Sequence, residues 1–291
     1  MRELPNPTFP LSPGISQRLM ALLPVQATGL ALPKSAGVPV SNPIVVPAEP
    51  KVELQICWAR HLDEVREAQR LRHSVFVGEM GARVEASIPG HDLDLFDDYC
   101  EHLLVRAGAG GPVVGTYRVL TPAQARRAGS FYSDTEFDLV RLRSVRDRMV
   151  ELGRSCVHAD HRSGGVIMAL WGALAGFMAR NKLDTMIGCA SVPMVHNGVA
   201  GGDAAASIWR QLSQTHLAPV EWRVWPRLPL PIERLDDTLD VEPPALIRGY
   251  LRMGAKLLGA PAWDPDFNTA DLPMLMRTGD LPARYRRHFL G

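Results

Sequence analysis

Two charged residues, Glu151 and Arg154, stand in a stretch that is otherwise largely apolar, residues 149–157. A charged side chain inside an apolar strand is unfavourable unless it pairs with a partner or takes part in chemistry. Positions three apart in a regular strand face opposite sides, but Gly153 lies between the two, and a β-bulge there would turn both to one face. Such a bulge would also splay this strand from its neighbour. The pattern therefore predicts a pair of site residues beside a slot that is open to an extended ligand.

The segment Arg162-Ser-Gly-Gly165 follows this stretch and precedes a predicted helix. The first N–H groups of a helix have no internal partner, and the helix dipole favours an anion there. Glycine lets the backbone approach a phosphate closely, and His161 and Arg162 add positive charge. The segment predicts a phosphate or pyrophosphate site, with a plain glycine turn as the structural alternative.

The surrounding elements follow from apolar periodicity. Residues 54–59, 102–107, 113–120, 148–157 and 184–190 are predicted strands. A helix capped by Asp63 runs to Phe76, and a second helix covers residues 166–180. This order predicts an α/β fold with a mixed sheet. Residues 244–258 resemble an amphipathic helix, whereas residues 264–290 show no clear period.

Composition limits the function classes. The net charge of the 291-residue chain is +1, which gives no global argument for nucleic acid. The four cysteines are isolated, so neither a disulfide framework nor a zinc motif is predicted, and a reducing cytosol is expected. The start of the chain does not resemble a secretory signal. The longest apolar stretch, about 15 residues, is shorter than a membrane-spanning helix.

The chain divides into three predicted parts by these patterns. Residues 1–50 are expected to be a flexible, proline-rich leader, because they carry many prolines and few charges. Residues 51–217 are expected to form the core. Residues 218–291 are expected to be a C-terminal extension that packs on the core and contacts a membrane or lipid.

Several motifs together resemble a known family. Arg162-x-x-Gly165 is similar to the pyrophosphate loop of the GNAT superfamily, although Ile167 replaces its last small residue. A narrower resemblance, to the bacterial ornithine acyltransferases, rests on motifs spread along the chain: Arg72-His-Ser-Val-Phe76, Asp94-Leu-Phe-Asp-Asp98, Gly115-Thr-Tyr-Arg118, Glu136-Phe-Asp138, Glu151–His158 and Asp266–Asp271.

The resemblance implies a GNAT-like mixed central β-sheet flanked by helices, with a family-specific C-terminal extension. It implies transfer of a (3-hydroxy)acyl chain from acyl carrier protein to the α-amine of L-ornithine, which gives lyso-ornithine lipid. The carrier's phosphopantetheine thioester would be a co-substrate, and no permanently bound cofactor is expected. From the residues alone, other acceptor amino acids and coenzyme A as donor stay open.

Two alternatives remain. The first half also resembles the acyl-homoserine-lactone synthases, but their tryptophan after Glu79-Met-Gly is absent and the C-terminal region is extra. The second alternative is a non-catalytic module that binds an acyl chain or the carrier protein.

The resemblance also implies a role for each candidate residue. Glu151 would accept the amine proton, and Arg154 and Arg118 would hold the amino-acid carboxylate. Asp94 and Asp97 would bind the side-chain ammonium, unless Arg118 pairs with them and merely orders the loop. The remaining candidates are Arg72 and Phe76 for substrate, His158 as acid for the thiol, and His161, Arg162, Ser163, Gly164 and Gly165 for phosphopantetheine. No metal site is expected.

The implied partners need charged surfaces. Acyl carrier protein is acidic, and the arginines between residues 141 and 148 form a candidate basic dock, with a solvated charged face as the alternative. The cluster Arg284–His288 is a candidate contact with an anionic inner-membrane surface. A cytoplasmic enzyme, peripheral on the inner membrane, is therefore expected, with no nucleic-acid partner.

Overall fold

A central sheet of eight strands organises the protein. The computed structural model describes residues 53–84 and 87–289, so the predicted leader at 1–50 lies outside the described residues. The strands are β1 (Leu54–Trp58), β2 (Glu101–Ala107), β3 (Val113–Leu120), β4 (Phe137–Asp138), β5 (Met149–Val157), β6 (Thr185–Pro193), β7 (Val195–His196), β8 (Val199–Ala200), β9 (Trp225–Pro226), β10 (Lys256–Leu257), β11 (Ala262–Asp264) and β12 (Thr269–Arg277). The helices are α1 (Leu62–His73), α2 (Pro122–Ala128), the single turn α3 (Ser133–Glu136), α4 (Gly165–Arg180), α5 (Asp203–His216), α6 (Ala245–Arg252) and α7 (Ala283–Phe289).

The sheet has the order β1-β2-β3-β5-β6-β12-β10, and β11 pairs with β12. The pairing of β5 with β6 is parallel, whereas the other pairs of this sheet are antiparallel. Helices α1 and α4 pack against the β1–β5 half, where their apolar faces share a core with β2 and β3. All eight residues of β3 are buried, as expected for a strand covered on both faces. The mixed α/β fold predicted from the order of elements is confirmed.

Strands β5 and β6 separate soon after they begin. Their register runs only from Met149–Thr185 to Glu151–Ile187, although both strands continue for several residues. Where they separate, β5 carries a bulge: Arg118 pairs with Gly153, but Thr116 pairs with Cys156. The structure thus confirms the bulge predicted near Gly153, and β5 separates from β6 at the same place. The residue in the left-handed backbone region is Arg154, with φ +51°, rather than Gly153.

The C-terminal part of the chain completes the sheet. Strand β12 pairs with β6 along nine residues, from Thr269–Pro193 to Arg277–Thr185. The segment that we expected to pack on the core as an extension from residue 218 therefore supplies the neighbour of β6. The expected helix over 244–258 is shorter, because α6 ends at Arg252 and β10 follows.

Two smaller features complete the fold. Helix α1 begins at Leu62 with His61 at its N-cap, so Asp63 lies in the first turn and is not the cap. Within residues 53–84 and 87–289, no helix combines the length and the apolar character needed to cross a membrane.

Candidate functional site

Three arginines and three aspartates form a buried frame at the centre of the protein. Arg72, at the end of α1, contacts Asp92 through Nε at 2.7 Å and Asp97 through Nη2 at 2.7 Å. Arg118 of β3 also contacts Asp97, at 3.3 Å. Each of these four side chains is at most 4% exposed. The frame thus ties α1 and β3 to the loop that precedes β2.

The bulged residue Arg154 closes this frame. Its Nη2 lies 2.7 Å from Asp94 Oδ2, and its Nε lies 3.2 Å from Asp92 Oδ2. Arg118 Nη1 lies 2.6 Å from the other oxygen of Asp94. Because Asp94 bridges Arg118 and Arg154, the loop, β3 and the bulge of β5 are held in one arrangement.

Opposite charges balance one another in the frame. Burial alone would raise the pKa of Asp97, but the charges of Arg72 and Arg118 hold that pKa below its ordinary value. Burial likewise opposes the ionised form of Asp94, and Arg118 and Arg154 hold its pKa low as well. Asp94 and Asp97 are therefore held in the ionised form, and each side chain of the frame already has charged partners.

These contacts bear on the predicted roles. Arg118 and Arg154 were candidates to hold a substrate carboxylate, and Asp94 and Asp97 were candidates to bind an ammonium. The structure brings all four together, but their charged groups face one another, as the structural alternative for Arg118 anticipated. Direct contact with a substrate stays a prediction for these residues.

Glu151 lies beside the frame, on β5 just before the bulge. Its Oε2 accepts a hydrogen bond from the Tyr132 N–H at 2.6 Å, and its Oε1 accepts one from the Ser133 N–H at 2.6 Å. The Ser133 hydroxyl also donates to Oε1. The carboxylate thus sits at the first backbone N–H groups of α3, where an anion is favoured. Burial raises the pKa of Glu151, and the hydrogen bonds from Ser133 and Tyr132 oppose the rise.

The gap between β5 and β6 holds two small cavities. One, of about 10 Å³, is lined by Glu151, Arg118, Arg154 and Tyr132, and has room for one water molecule. The other, of about 40 Å³, is lined by apolar residues of β6 and β12. Leu152 and Cys189 line both cavities, so the two are neighbours. Glu151 and the two arginines line the polar one, and the other is apolar.

The phosphate loop lies at the far end of β5. Gly164, with φ +99°, precedes the 16-residue helix α4, a backbone conformation that favours glycine. Ser163 and Gly165 are exposed, and the Arg162 side chain is 7% exposed because its Nη2 contacts Glu79 at 2.7 Å. The structure brings the predicted loop residues, His161 to Gly165, to one exposed helix N-terminus. Phosphate binding there stays a prediction.

His158 and Phe76 lie away from the Glu151 cavity. The His158 side chain is 44% exposed beside Asp160, and seven residues of strand separate it from Glu151, roughly 20 Å. Phe76 is fully buried and packs edge-on against Phe267, with ring centroids 5.9 Å apart. The roles of His158 as an acid and Phe76 as a substrate contact stay predictions that this geometry does not support.

The expected basic dock lies at the other end of β5. Arg146 and Arg148 immediately precede the strand, and the phosphate loop follows it, roughly 30 Å away along nine residues. Arg146 contacts Asp134, and Arg148 contacts Asp184 at 3.2 Å. This surface and the phosphate loop therefore face different ends of the sheet.

Sequence reasoning missed a second group of acidic residues near Glu151. One carboxylate oxygen from each of Glu136, Asp264 and Asp271 lies within 4.8 Å of the others. The three come from α3, β11 and β12, which are distant in sequence. Glu136 and Asp271 lie in motifs that carried the family resemblance, but neither was assigned a role in the site. We call this group the acidic cluster.

Comparisons with known proteins place the chain in a family. Residues 71–172 match the acetyltransferase (GNAT) domain. The L-ornithine N(alpha)-acyltransferase of Agrobacterium fabrum is 35% identical over 256 residues, which cover 82% of this chain and 85% of that protein. The protein of the same name from Rhodobacter capsulatus is 35% identical over 260 residues, 81% of this chain and 94% of that protein. The chain belongs to the L-ornithine N(alpha)-acyltransferase family.

The predicted membership is thus confirmed, and the protein is an amide-forming acyltransferase with a GNAT-type fold. A solved coenzyme A-dependent acyl-homoserine lactone synthase, BjaI, is 18% identical to this acyltransferase, with a TM-score of 0.48 over 81% of this chain and 88% of that one.

Proposed function

We propose that this acyltransferase moves a (3-hydroxy)acyl chain from the phosphopantetheine thioester of acyl carrier protein to the α-amine of L-ornithine, giving lyso-ornithine lipid. The observation that carries the proposal is the Glu151 carboxylate. It is buried, held by the N–H groups of Tyr132 and Ser133, and borders a water-sized cavity between the splayed strands. The names of the related family members supply the choice of amino acid.

Amide formation requires a neutral amine and a proton for the departing sulfur. The amine nitrogen attacks the thioester carbonyl, the carbon–sulfur bond breaks, and the nitrogen loses one proton while the thiolate gains one. Glu151 accepts the amine proton, directly or through a water in the adjacent cavity, and returns it to the thiolate. Burial raises the pKa of Glu151, which makes it a better proton acceptor than an exposed carboxylate.

The donor would enter from the phosphate loop. Beyond Glu151, β5 and β6 no longer pair within the described chain, so their facing backbone groups can bind the amides of a pantetheine arm. The distance of roughly 20 Å from Glu151 to the end of β5 suits an extended arm, with its phosphate at Gly164–Gly165 and its thioester beside Glu151. In this arrangement the carrier protein docks near the N-terminus of α4 rather than on the Arg141–Arg148 surface.

The frame would order the site rather than bind the substrate directly. Arg154 carries the bulge that separates the strands, and its contacts with Asp92 and Asp94 hold that bulge in place. Arg72 and Arg118 anchor the same loop.

A weak contact with the inner membrane would fit a lipid product. Helix α7 presents Arg284, Arg286, Arg287 and His288 within seven residues. Basic side chains near an anionic surface each contribute about 1 kcal/mol. In a vesicle flotation assay at low salt, we expect the protein to float with anionic vesicles and to remain in the bottom fraction with zwitterionic ones. Equal behaviour with both vesicles would remove this part of the proposal.

The reaction is tested by mixing purified protein with 3-hydroxyacyl carrier protein and ornithine, then measuring thiol release and product mass. We expect release and a linear N-acylated ornithine. A cyclised product would favour the acyl-homoserine-lactone type of synthase. Absence of release with every amino acid and with both carrier protein and coenzyme A donors would leave a binding module.

A further inference from the structure

The acidic cluster is a buried set of carboxylates with unsatisfied oxygens. Asp271 is fully buried and Asp264 is 8% exposed. Asp271 Oδ1 accepts a hydrogen bond from the Thr269 hydroxyl at 3.0 Å, and Asp264 Oδ1 accepts two from the backbone of the turn that follows it. Glu136 Oε2 and Asp271 Oδ2 are buried and have no hydrogen-bonding partner within residues 53–84 and 87–289. Buried polar atoms are normally satisfied, so these two oxygens require a donor, either a proton shared between the Glu136 and Asp271 carboxyls or a bound ligand.

The electrostatics of the cluster indicate that the donor carries positive charge. Burial raises the pKa of Asp271 to about 7, and the charge of Asp264 adds to the rise. Burial and nearby carboxylates also raise the pKa of Glu136 and bring that of Asp264 to about 6. Arg154, which lowers the pKa of Asp264, is already engaged with the frame. A cation placed among the three would offset their mutual repulsion.

The cluster is linked to Glu151 through the residues at the start of α3. Tyr132 connects the two: its N–H donates to Glu151, and its hydroxyl donates to Glu136 Oε1 at 2.7 Å. Ser133 holds the other Glu151 oxygen and contacts Cys189 Sγ at 3.5 Å. Cys189 in turn hydrogen-bonds to Glu136. The proton acceptor and the cluster are therefore joined through Tyr132, and through Ser133 and Cys189.

An open cleft borders the start of β12. It has a volume of about 640 Å³, and Thr269, the residue that donates to Asp271, is among its lining residues. Glu79–Gly81 and the end of β6 contribute to its other walls. The cleft and the cluster therefore share Thr269 as a neighbour.

We infer that Glu136, Asp264 and Asp271 bind the terminal ammonium of a dibasic amino acid, and so select an acceptor with two amines over a neutral one of the same length. The inference rests on the proposed function. An ammonium has three donors. Three acceptors at hydrogen-bond distance around such a nitrogen lie about 4.6 Å apart, which agrees with oxygens within 4.8 Å of one another. With its α-amine beside Glu151, ornithine would place its terminal ammonium in the cluster.

The test compares ornithine with norvaline, which has the same carbon skeleton without the terminal ammonium. The variants are Asp271→Asn and Glu136→Gln, and Asp147→Asn, a carboxylate that is 94% exposed, is the matched control. We expect the cluster variants to lower kcat/KM for ornithine by about 10–100-fold, mainly through KM, because one charged partner is lost. Turnover of norvaline should stay near the wild-type rate, which shows that the variants fold.

An unchanged ratio of ornithine to norvaline in both cluster variants would overturn the inference. If the wild-type protein acylates neither amino acid, the proposed reaction fails, and calorimetric binding decides the inference separately. Tighter binding of ornithine than norvaline, lost in Asp271→Asn, would support the inference without turnover. Equal binding would overturn it. Titration with Mg²⁺ or Ca²⁺ is the last arm: metal binding that requires Asp271 and leaves ornithine affinity unchanged would assign the cluster to a metal and also overturn the inference.

Discussion

Replacing Asp271 by asparagine should make the unliganded protein more stable at pH 8, although it should impair the use of ornithine. Asp271 is fully buried, and its pKa of about 7 lies well above the ordinary value of 3.8. Asparagine has almost the same shape, is neutral at every pH, and can still accept the hydrogen bond from Thr269. Its amide can also donate toward Glu136, whose Oε2 has no partner among the described residues.

The size of the effect follows from the pKa. A rise from 3.8 to about 7 means that the ionised form is less stable in the fold by about 4 kcal/mol. Because the carboxyl groups of the cluster titrate together, we expect one substitution to recover roughly half, about 2 kcal/mol. For a protein of this size, that corresponds to a Tm increase of about 4–8 °C.

The sign of the pH dependence is specific. In the wild-type protein the folded state keeps a proton on Asp271 that the unfolded state loses near pH 4, so stability falls as the pH rises from about 4 to about 7. The Asp271→Asn variant does not lose stability in this way, because asparagine does not titrate. Its advantage should therefore be small at pH 4, grow through pH 6 and level off above pH 7. The titratable, charged and polar groups that face Asp271 or its cluster neighbours, and so act on this pH dependence, are Tyr132, Glu136, Arg154, Cys189, Ser191, Asp264 and Thr269.

The assay is thermal and urea unfolding of the two proteins from pH 4 to pH 8, with Asp147→Asn as the control for an exposed carboxylate. The control should change stability by less than about 0.5 kcal/mol at each pH. A variant that is less stable than wild type at pH 8, or whose advantage does not vary with pH, would refute the account of Asp271 as a carboxylate held near neutrality.

Three further outcomes are expected. Glu151→Gln should lower kcat by about 100-fold or more with little change in ornithine KM, measured by steady-state thiol release, and unchanged turnover would remove Glu151 as proton acceptor. Asp97→Asn leaves Arg72 with a weakened buried partner and should lower the free energy of unfolding by about 3–5 kcal/mol in urea titrations, whereas a change below 1 kcal/mol would contradict the frame. Gly115→Ala places a Cβ 2.4 Å from Val166 Cγ1 and should destabilise by about 1–3 kcal/mol, and the double variant with Val166→Ala should recover stability in thermal unfolding if that contact is the cause.

The first two thirds of the fold could be predicted from the sequence because its signals are local. The strands around β2, β3, β5 and β6 are short apolar runs bounded by turns, and their predicted positions differ from the observed ones by a few residues. The bulge could also be predicted, because a glycine between two charged residues in an apolar strand favours a bulge over regular pairing. The sequence did not show that the left-handed residue is Arg154, since its contacts with Asp92 and Asp94 hold that conformation.

Strand β12 was missed for a physical reason. Pro273 lies in its middle and has no N–H for a neighbouring strand, which argues against a central strand. In the structure Pro273 lies opposite Cys189 in the register with β6, and its carbonyl accepts a hydrogen bond from the Leu258 N–H at 2.8 Å. The strand is stable because its neighbours use the groups that proline retains, and no local pattern reveals those neighbours.

The sequence predicted which residues belong to the candidate site better than it predicted how those residues pair. Asp94, Asp97, Arg118 and Arg154 were identified, but their mutual pairing depends on a loop whose path the sequence does not give. Asp92, which contacts two arginines of the frame, was not a candidate at all. Charged residues can be recognised in a sequence by their apolar neighbours, whereas their partners come from elements far away.

The two buried acidic groups differ in one respect that bears on function. In the frame, three aspartates face three arginines, and the pKa values of Asp94 and Asp97 are held low against the effect of burial. In the acidic cluster the carboxyls face one another, and the pKa values of Asp264 and Asp271 are raised. In a matched set the opposite charges offset the cost of burial, whereas an unmatched set destabilises the unliganded protein. A cationic ligand bound among these carboxylates, as we infer, would relieve that penalty.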